Sequence, residues 1–272
     1  MFEEPDQDEM LIQSTKEPLV EIFQHKGSSE CNVDLNDPLC NFEQLPYKDF
    51  RSKFQNDLSS SPDSSFVREA LGKGLLSQDR QSINPLKFGV IASTDTHLGT
   101  PGAVDESSFQ GHGGAGKSFR SSIPEGLPDD IEFNPGGLAV AWAEENSRSA
   151  IFDAFQRKEV YGTSGPRFIV RFFVGDNLDK NLCKNPDNIS YAYANATPMG
   201  GTIASDSLSQ PSIFISASAD SSIKDQFIEK LQVVKGVVRN GELLTTVHDV
   251  GVTNAQSKLD ISNCEVTGSG EK

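Results

Sequence analysis

The sequence predicts an α/β fold over residues 1–176, followed by a β-rich region over residues 177–272. Two patterns carry this expectation. Up to about residue 176, short apolar runs alternate with stretches of helical periodicity. Beyond that point, apolar and polar residues alternate in the two-residue rhythm of strands, around an Asn-Gly turn. A hydrophobic content of 36% is enough for a packed core.

The elements follow in order. "PLVEIF" (18–23) reads as a short strand, and an irregular polar stretch runs from it to about residue 65. "SSFVREALGKGLL" (64–76) reads as a helix, although Gly72 and Gly74 weaken it by about 1 kcal/mol each. "LKFGVIA" (86–92) is a buried strand, and a loop rich in Gly and Pro spans 99–137. Ser147 is suited to cap the helix "RSAIFDAFQRKE", which puts Ala150, Ile151, Ala154 and Phe155 on one face. Arg157 and Lys158 close its last turn, where positive charge complements the helix dipole. "RFIVRFFV" (167–174) is a further strand. "SIFISASA" (212–219), "LQVVKGVV" and "ELLTTVHDV" complete the series, the last two flanking the hairpin turn Asn240-Gly241.

Charge limits the partners. A net charge of −15 argues against a nucleic-acid backbone or an anionic membrane as the main partner. No apolar run reaches the roughly 18 residues that a membrane-spanning helix needs, so no membrane insertion is expected. The opening "MFEEPDQDEM" lacks the basic-then-apolar pattern of a signal peptide, and the compartment stays open. Cys31, Cys40, Cys183 and Cys264 show no C-x-x-C spacing, which excludes a zinc ribbon or a thioredoxin-type motif. Cys31 and Cys40 either pair in an oxidising compartment or remain thiols. Asn188-Ile-Ser190 and Asn195-Ala-Thr197 match the glycosylation acceptor pattern, which has meaning only on a secretory route.

Two short motifs compete for the chemistry. "GHGGAGKS" (111–118) fits the phosphate-binding pattern G-x-x-x-x-G-K-[ST]. That loop works only between a buried strand and a helix, and neither is here. "GAVDESSFQ" precedes it, and Pro124 and Pro128 stop any helix after it. The match reads as accidental. Asp95 and His97 do have context, since they follow directly on the strand "LKFGVIA". In an extended chain, residues two apart project to one side, so both side chains can reach one ion. Aspartate oxygen with histidine nitrogen suits zinc, manganese or iron. The alternative is Asp95 as a turn former with His97 on the surface.

"EPLVEIFQHKGSSEC", "STDTHLGTPG", "GHGGAG" and "NPGGLAVAWAEENSRSAIFDAFQRKEVYGTSGPRF", in that order, resemble the DUF3604 family. Through it they resemble the polymerase-and-histidinol-phosphatase superfamily of metal-dependent phosphoesterases. The resemblance is close over residues 1–175 and less sharp beyond. It implies a distorted β/α barrel carrying a metal cluster at its carboxyl face, with the β-rich region as an appendage. The superfamily's last metal motif is D-x-H, which Asp95 and His97 match. "YGTSGPR" (161–167) resembles the closing turn of the barrel in members that hydrolyse carbamates or phosphoesters.

One departure matters. The superfamily opens with an H-x-H strand, whereas the four histidines here, His25, His97, His112 and His248, form none. Met1-Phe2 resembles an internal family position and "NCEVTGSGEK" stops where the family continues, so the resemblance implies a partial barrel and an incomplete metal site.

Within what is present, Glu21 interrupts an apolar strand, where an unpaired charge is costly. A metal, a basic partner or a solvent-facing edge would explain it. His25 lies just past that strand, where a ligand belongs. Lys26, Ser29 and Glu30 are candidates for contacts to substrate or to the ligands. His112 is a candidate acid or base, and Arg167 a candidate fork for an anionic group. His248 reads as structural, and Ser164 has no neighbouring base in sequence. The expected function is hydrolysis of a small anionic or ester substrate (a phosphoester, ester or carbamate) by the intact parent, with a divalent zinc, manganese or iron as cofactor. The alternative is a binding or scaffold domain without catalysis.

Overall fold

The computed structural model describes residues 6–32, 37–43, 66–97, 99–109, 134–204, 207–223, 226–252, 258–260 and 265–267. The chain divides into two compact units. The first comprises Met1–Val140, Tyr161–Gly165 and Lys235–Thr246. The second comprises Ala141–Val160, Pro166–Val234 and Val247–Lys272.

The first unit opens with helix α1 (Gln7–Lys16), which the sequence reading did not assign. Asp6 and Glu9 cap it reciprocally: the Asp6 carboxylate accepts from the Glu9 N–H, and the Glu9 carboxylate accepts from the Asp6 N–H. Strand β1 (Leu19–Gln24) lies at the centre of a three-stranded sheet. On one side it pairs antiparallel with β2 (Gly27–Ser28). On the other it pairs parallel with β3 (Gly89–Ala92), setting Leu19 opposite Gly89 and Glu21 opposite Ile91. A register irregularity falls between Glu21 and Phe23. Parallel neighbours need a crossover, and helix α2 (Val67–Gln81) lies between β1 and β3 in sequence. Its two glycines have a packing reason: a Cβ on Gly72 would strike Leu243, and one on Gly74 would strike Asn84. Propensity is given up for close approach. Cys31 and Cys40 form a disulfide, which settles the choice the sequence left open.

Strand β4 (Leu138–Ala141) pairs with β5 (Val160–Thr163). Between them in sequence, helix α3 (Arg148–Arg157) starts at Ser147 as expected, the Ser147 hydroxyl accepting from the Ala150 N–H. Lys158, in a left-handed conformation, ends it.

The second unit is built on β6 (Ile169–Asp176), the middle strand of an antiparallel sheet. Its partners are β7 (Ala196–Pro198) and β8 (Pro211–Ser218). Phe173 and Phe214 are directly opposite in register, and with Leu182 and Ala192 they form a buried cluster. Ala192 comes from helix α4 (Asn188–Asn195), inside the region that reads as β-rich. Strands β9 (Lys230–Arg239) and β10 (Glu242–Val252) pair around Asn240-Gly241, both with positive φ as a tight hairpin turn requires. Short strands β11 (Lys258–Asp260) and β12 (Glu265–Thr267) pair antiparallel.

The class is therefore mixed α/β. Among the described residues the strands make two three-stranded and three two-stranded sheets, and no closed barrel. Closure requires every edge strand to find a neighbour, and β2, with two residues, offers little edge to pair. Among the described residues, no helix is long and apolar enough to cross a membrane.

Candidate functional site

Because β1 and β3 run parallel, their carboxyl ends come out at the same edge of the sheet. Glu21 sits within β1, His25 and Lys26 come just beyond its end, and Ser93, Asp95 and His97 follow β3. The Ser93 N–H donates to the Phe23 carbonyl at 3.0 Å and so carries the pairing past the end of the strand.

The charge in the apolar strand is compensated. Glu21 accepts from the Ser93 hydroxyl on one carboxylate oxygen and from Gln24 Nε2 at 2.9 Å on the other. Two hydrogen bonds to an ionised group offset much of what partial burial costs it, at about 1.5–3 kcal/mol each. Ser93 and Gln24 escaped the sequence reading because their role depends on which strand lies beside β1.

Asp95 is the hub. Its backbone takes a left-handed conformation, φ 54°, which aspartate tolerates better than most residues. The extended geometry expected from the D-x-H spacing is therefore corrected to a turn. The turn still gathers the side chains: His25 Nδ1 lies 3.5 Å from Asp95 Oδ2, and His97 Nε2 lies 3.4 Å from Asp95 Oδ1. Burial pushes the His25 pKa down, and the pull of Asp95 does not cancel it. Its imidazole is thus neutral at pH 7, with a nitrogen lone pair to offer. His97 is half exposed.

Lys26 donates to the Ser29 hydroxyl. Burial lowers its pKa, against the attraction of Glu21 and Asp95. Glu30 has a structural partner, since Arg68 bonds it at 2.6 Å and Asp37 at 2.8 Å. The turn Asn134–Gly137 closes over the same edge: the Asn134 N–H donates to the His25 carbonyl at 3.0 Å, and the Gly137 N–H to the Ser93 carbonyl at 2.7 Å.

Glu21, His25, Lys26, Asp95 and His97 are thus brought together, with Ser29 attached through Lys26. Arg167 belongs to the second unit, where its backbone N–H donates to Asp220 at 2.7 Å and its side chain is exposed. His112 and the whole "GHGGAGKS" segment lie outside the described residues.

The donors fit a divalent metal in kind, carboxylate oxygen with neutral imidazole nitrogen. In number they fit only partly, because each oxygen of Asp95 faces a different histidine. Among the described residues, the one group of three His, Cys, Asp or Glu donors that all lie within 4.8 Å of one another is Cys31, Asp37 and Cys40. Its two sulfurs are bonded to each other and Asp37 is held by Arg68, so that cluster is structural.

The class defined by these features is a mixed α/β protein with a polar, titratable cluster at the carboxyl ends of parallel strands. The family model described as "Protein of unknown function (DUF3604)" matches residues 2–270, and the chain belongs to that family. No curated protein and no solved structure matches it.

Proposed function

We propose that this chain is part of a metal-dependent hydrolase of the polymerase-and-histidinol-phosphatase type, acting on a small phosphoester, ester or carbamate. The observation that supports this reading is the gathering of Glu21, His25, Asp95 and His97 at one edge of the β1–β3 pair. Asp95 and His97 would hold the metal, with His25 or Glu21 assisting. A metal there would polarise the substrate's oxygen and activate a water. Lys26 supplies positive charge beside the carboxylates, suited to an anionic substrate oxygen. In this reading the remaining ligands come from an H-x-H strand that the 272 residues do not contain. A binding domain without catalysis is the second reading, favoured by the divergence of the two histidines onto opposite oxygens of Asp95.

Metal analysis after dialysis tests the assignment. The chain is expected to bind zinc or manganese weakly and to lose it on dialysis, because a partial ligand set does not hold a tight site. Asp95→Asn, which tolerates the left-handed backbone, and His97→Ala should each weaken binding by at least about tenfold, as for the loss of a ligand or its orienting partner. Metal retained at one equivalent in the double variant would remove Asp95 and His97 from the site.

A further inference from the structure

The second unit contains a cavity of about 730 Å³ that the metal reading does not use. Trp142, Arg157, Glu159, Arg171, Tyr193 and Met199 line it. Its volume falls within the range of small-molecule sites.

The walls are fixed by hydrogen bonds. The Trp142 indole N–H donates to the Val170 carbonyl at 3.1 Å, and the Trp142 backbone N–H to the Glu159 carbonyl at 2.9 Å. The Arg171 guanidinium lies over this indole, its Cζ 3.1 Å from the ring centroid, with the Tyr193 ring centroid 5.7 Å away. Arg171 Nη1 donates to the Tyr193 hydroxyl at 2.6 Å, and that hydroxyl donates in turn to Glu159. Glu159, with a side chain only 7% exposed, also has Arg157 at 3.5 Å. The buried carboxylate is therefore matched.

The guanidinium is not. Among the described residues no carboxylate lies within ion-pair distance of Arg171. This happens in a chain whose net charge is −15. Of the five N–H donors an arginine carries, one is engaged among the described residues. A fork held over the indole and bonded to Tyr193 has already lost freedom that binding would otherwise cost, and its geometry suits a planar oxyanion. The charged lining residues, Arg157 and Arg171 with Glu144 and Glu159, balance. A singly charged ligand therefore pairs with Arg171, whereas a dianion adds repulsion from Glu159. Pro198 and Met199 offer an apolar wall, and Met adapts to the shape of what it meets.

We propose that this cavity binds a small organic monocarboxylate, its carboxylate paired with Arg171 and its apolar body against Trp142, Pro198 and Met199. The proposal is independent of any metal.

The sequence contains a single tryptophan, so indole fluorescence reports on this cavity alone. The experiment titrates the full chain with benzoate, benzyl alcohol and phenyl phosphate. Benzoate should give a saturable change in emission. Benzyl alcohol should bind at least about tenfold more weakly for want of the charge-assisted contact, and the dianionic phenyl phosphate at least about tenfold more weakly through repulsion from Glu159. Arg171→Lys, which keeps the charge but not the fork, should weaken benzoate by about tenfold, and Arg171→Gln should do so further. No saturable response to benzoate would overturn the proposal. So would equal affinity for benzyl alcohol, tighter binding of phenyl phosphate, or unchanged benzoate affinity in a folded Arg171→Gln chain. If the Gln variant does not fold, the ligand order measured on the unsubstituted chain decides.

Discussion

Gly136 shows how tightly the site is braced. Its φ is +85°, and a Cβ built on it would lie 2.6 Å from Thr94 Cα and 2.7 Å from the Ser93 carbonyl oxygen. Both contacts are backbone, so neither can swing aside. Gly136→Ala should destabilise the first unit by about 1–3 kcal/mol through overpacking, and should displace Asp95 with the segment it follows. Denaturant unfolding reads the first effect and metal titration the second. Unchanged stability together with unchanged metal affinity would mean that the turn is not needed to hold Asp95 in place. Glu21, His25 and Asp95 were legible in the sequence because polar residues that end or interrupt an apolar run must be compensated by something. Ser93 and the Asn134–Gly137 turn were not. Their importance lies in which backbone atoms they meet, and neighbours distant in sequence decide that.

At the level of elements, those with strong local signals read correctly. The helix α3 has its serine cap and a repeated apolar face, and the β9–β10 hairpin has its Asn-Gly turn. Helix α4 was missed for a physical reason: "NISYAYAN" is short, and Asp187 makes no side-chain cap bond. It exists because Ala192 and its neighbours pack on the sheet, and tertiary contact outweighs weak propensity. The same packing places the sheet's stability in one residue. Phe173 is 1% exposed, opposite both Pro198 and Phe214, with the Tyr193 ring edge-on at 5.0 Å. Phe173→Ala should cost about 3–5 kcal/mol, measured by thermal or denaturant unfolding. A loss below about 1 kcal/mol would show that the cluster collapses around the vacancy.

For the whole molecule, the decisive feature is that neither unit is a continuous piece of chain. The first unit takes its α/β frame from early residues and is completed by Tyr161–Gly165 and Lys235–Thr246. Leu243 covers Gly72 of α2, and Gly162 packs against Ile91 and Ala92 of β3. Composition and periodicity reveal none of this, because they describe neighbours along the chain and not returns to it. The order of assembly in the cell follows. At about 5–20 residues per second, a ribosome leaves α2 waiting on the order of 10–30 s before Leu243 is made. Throughout that interval the apolar surfaces of the early segments lack their cover, an invitation to chaperones or to association between nascent chains. Ribosome-bound chains stopped at successive lengths should gain protease resistance in residues 66–97 only after Lys235–Thr246 has emerged. Full resistance in chains stopped near Asp176 would mean that the early segments are self-sufficient and need not wait for the end of the message.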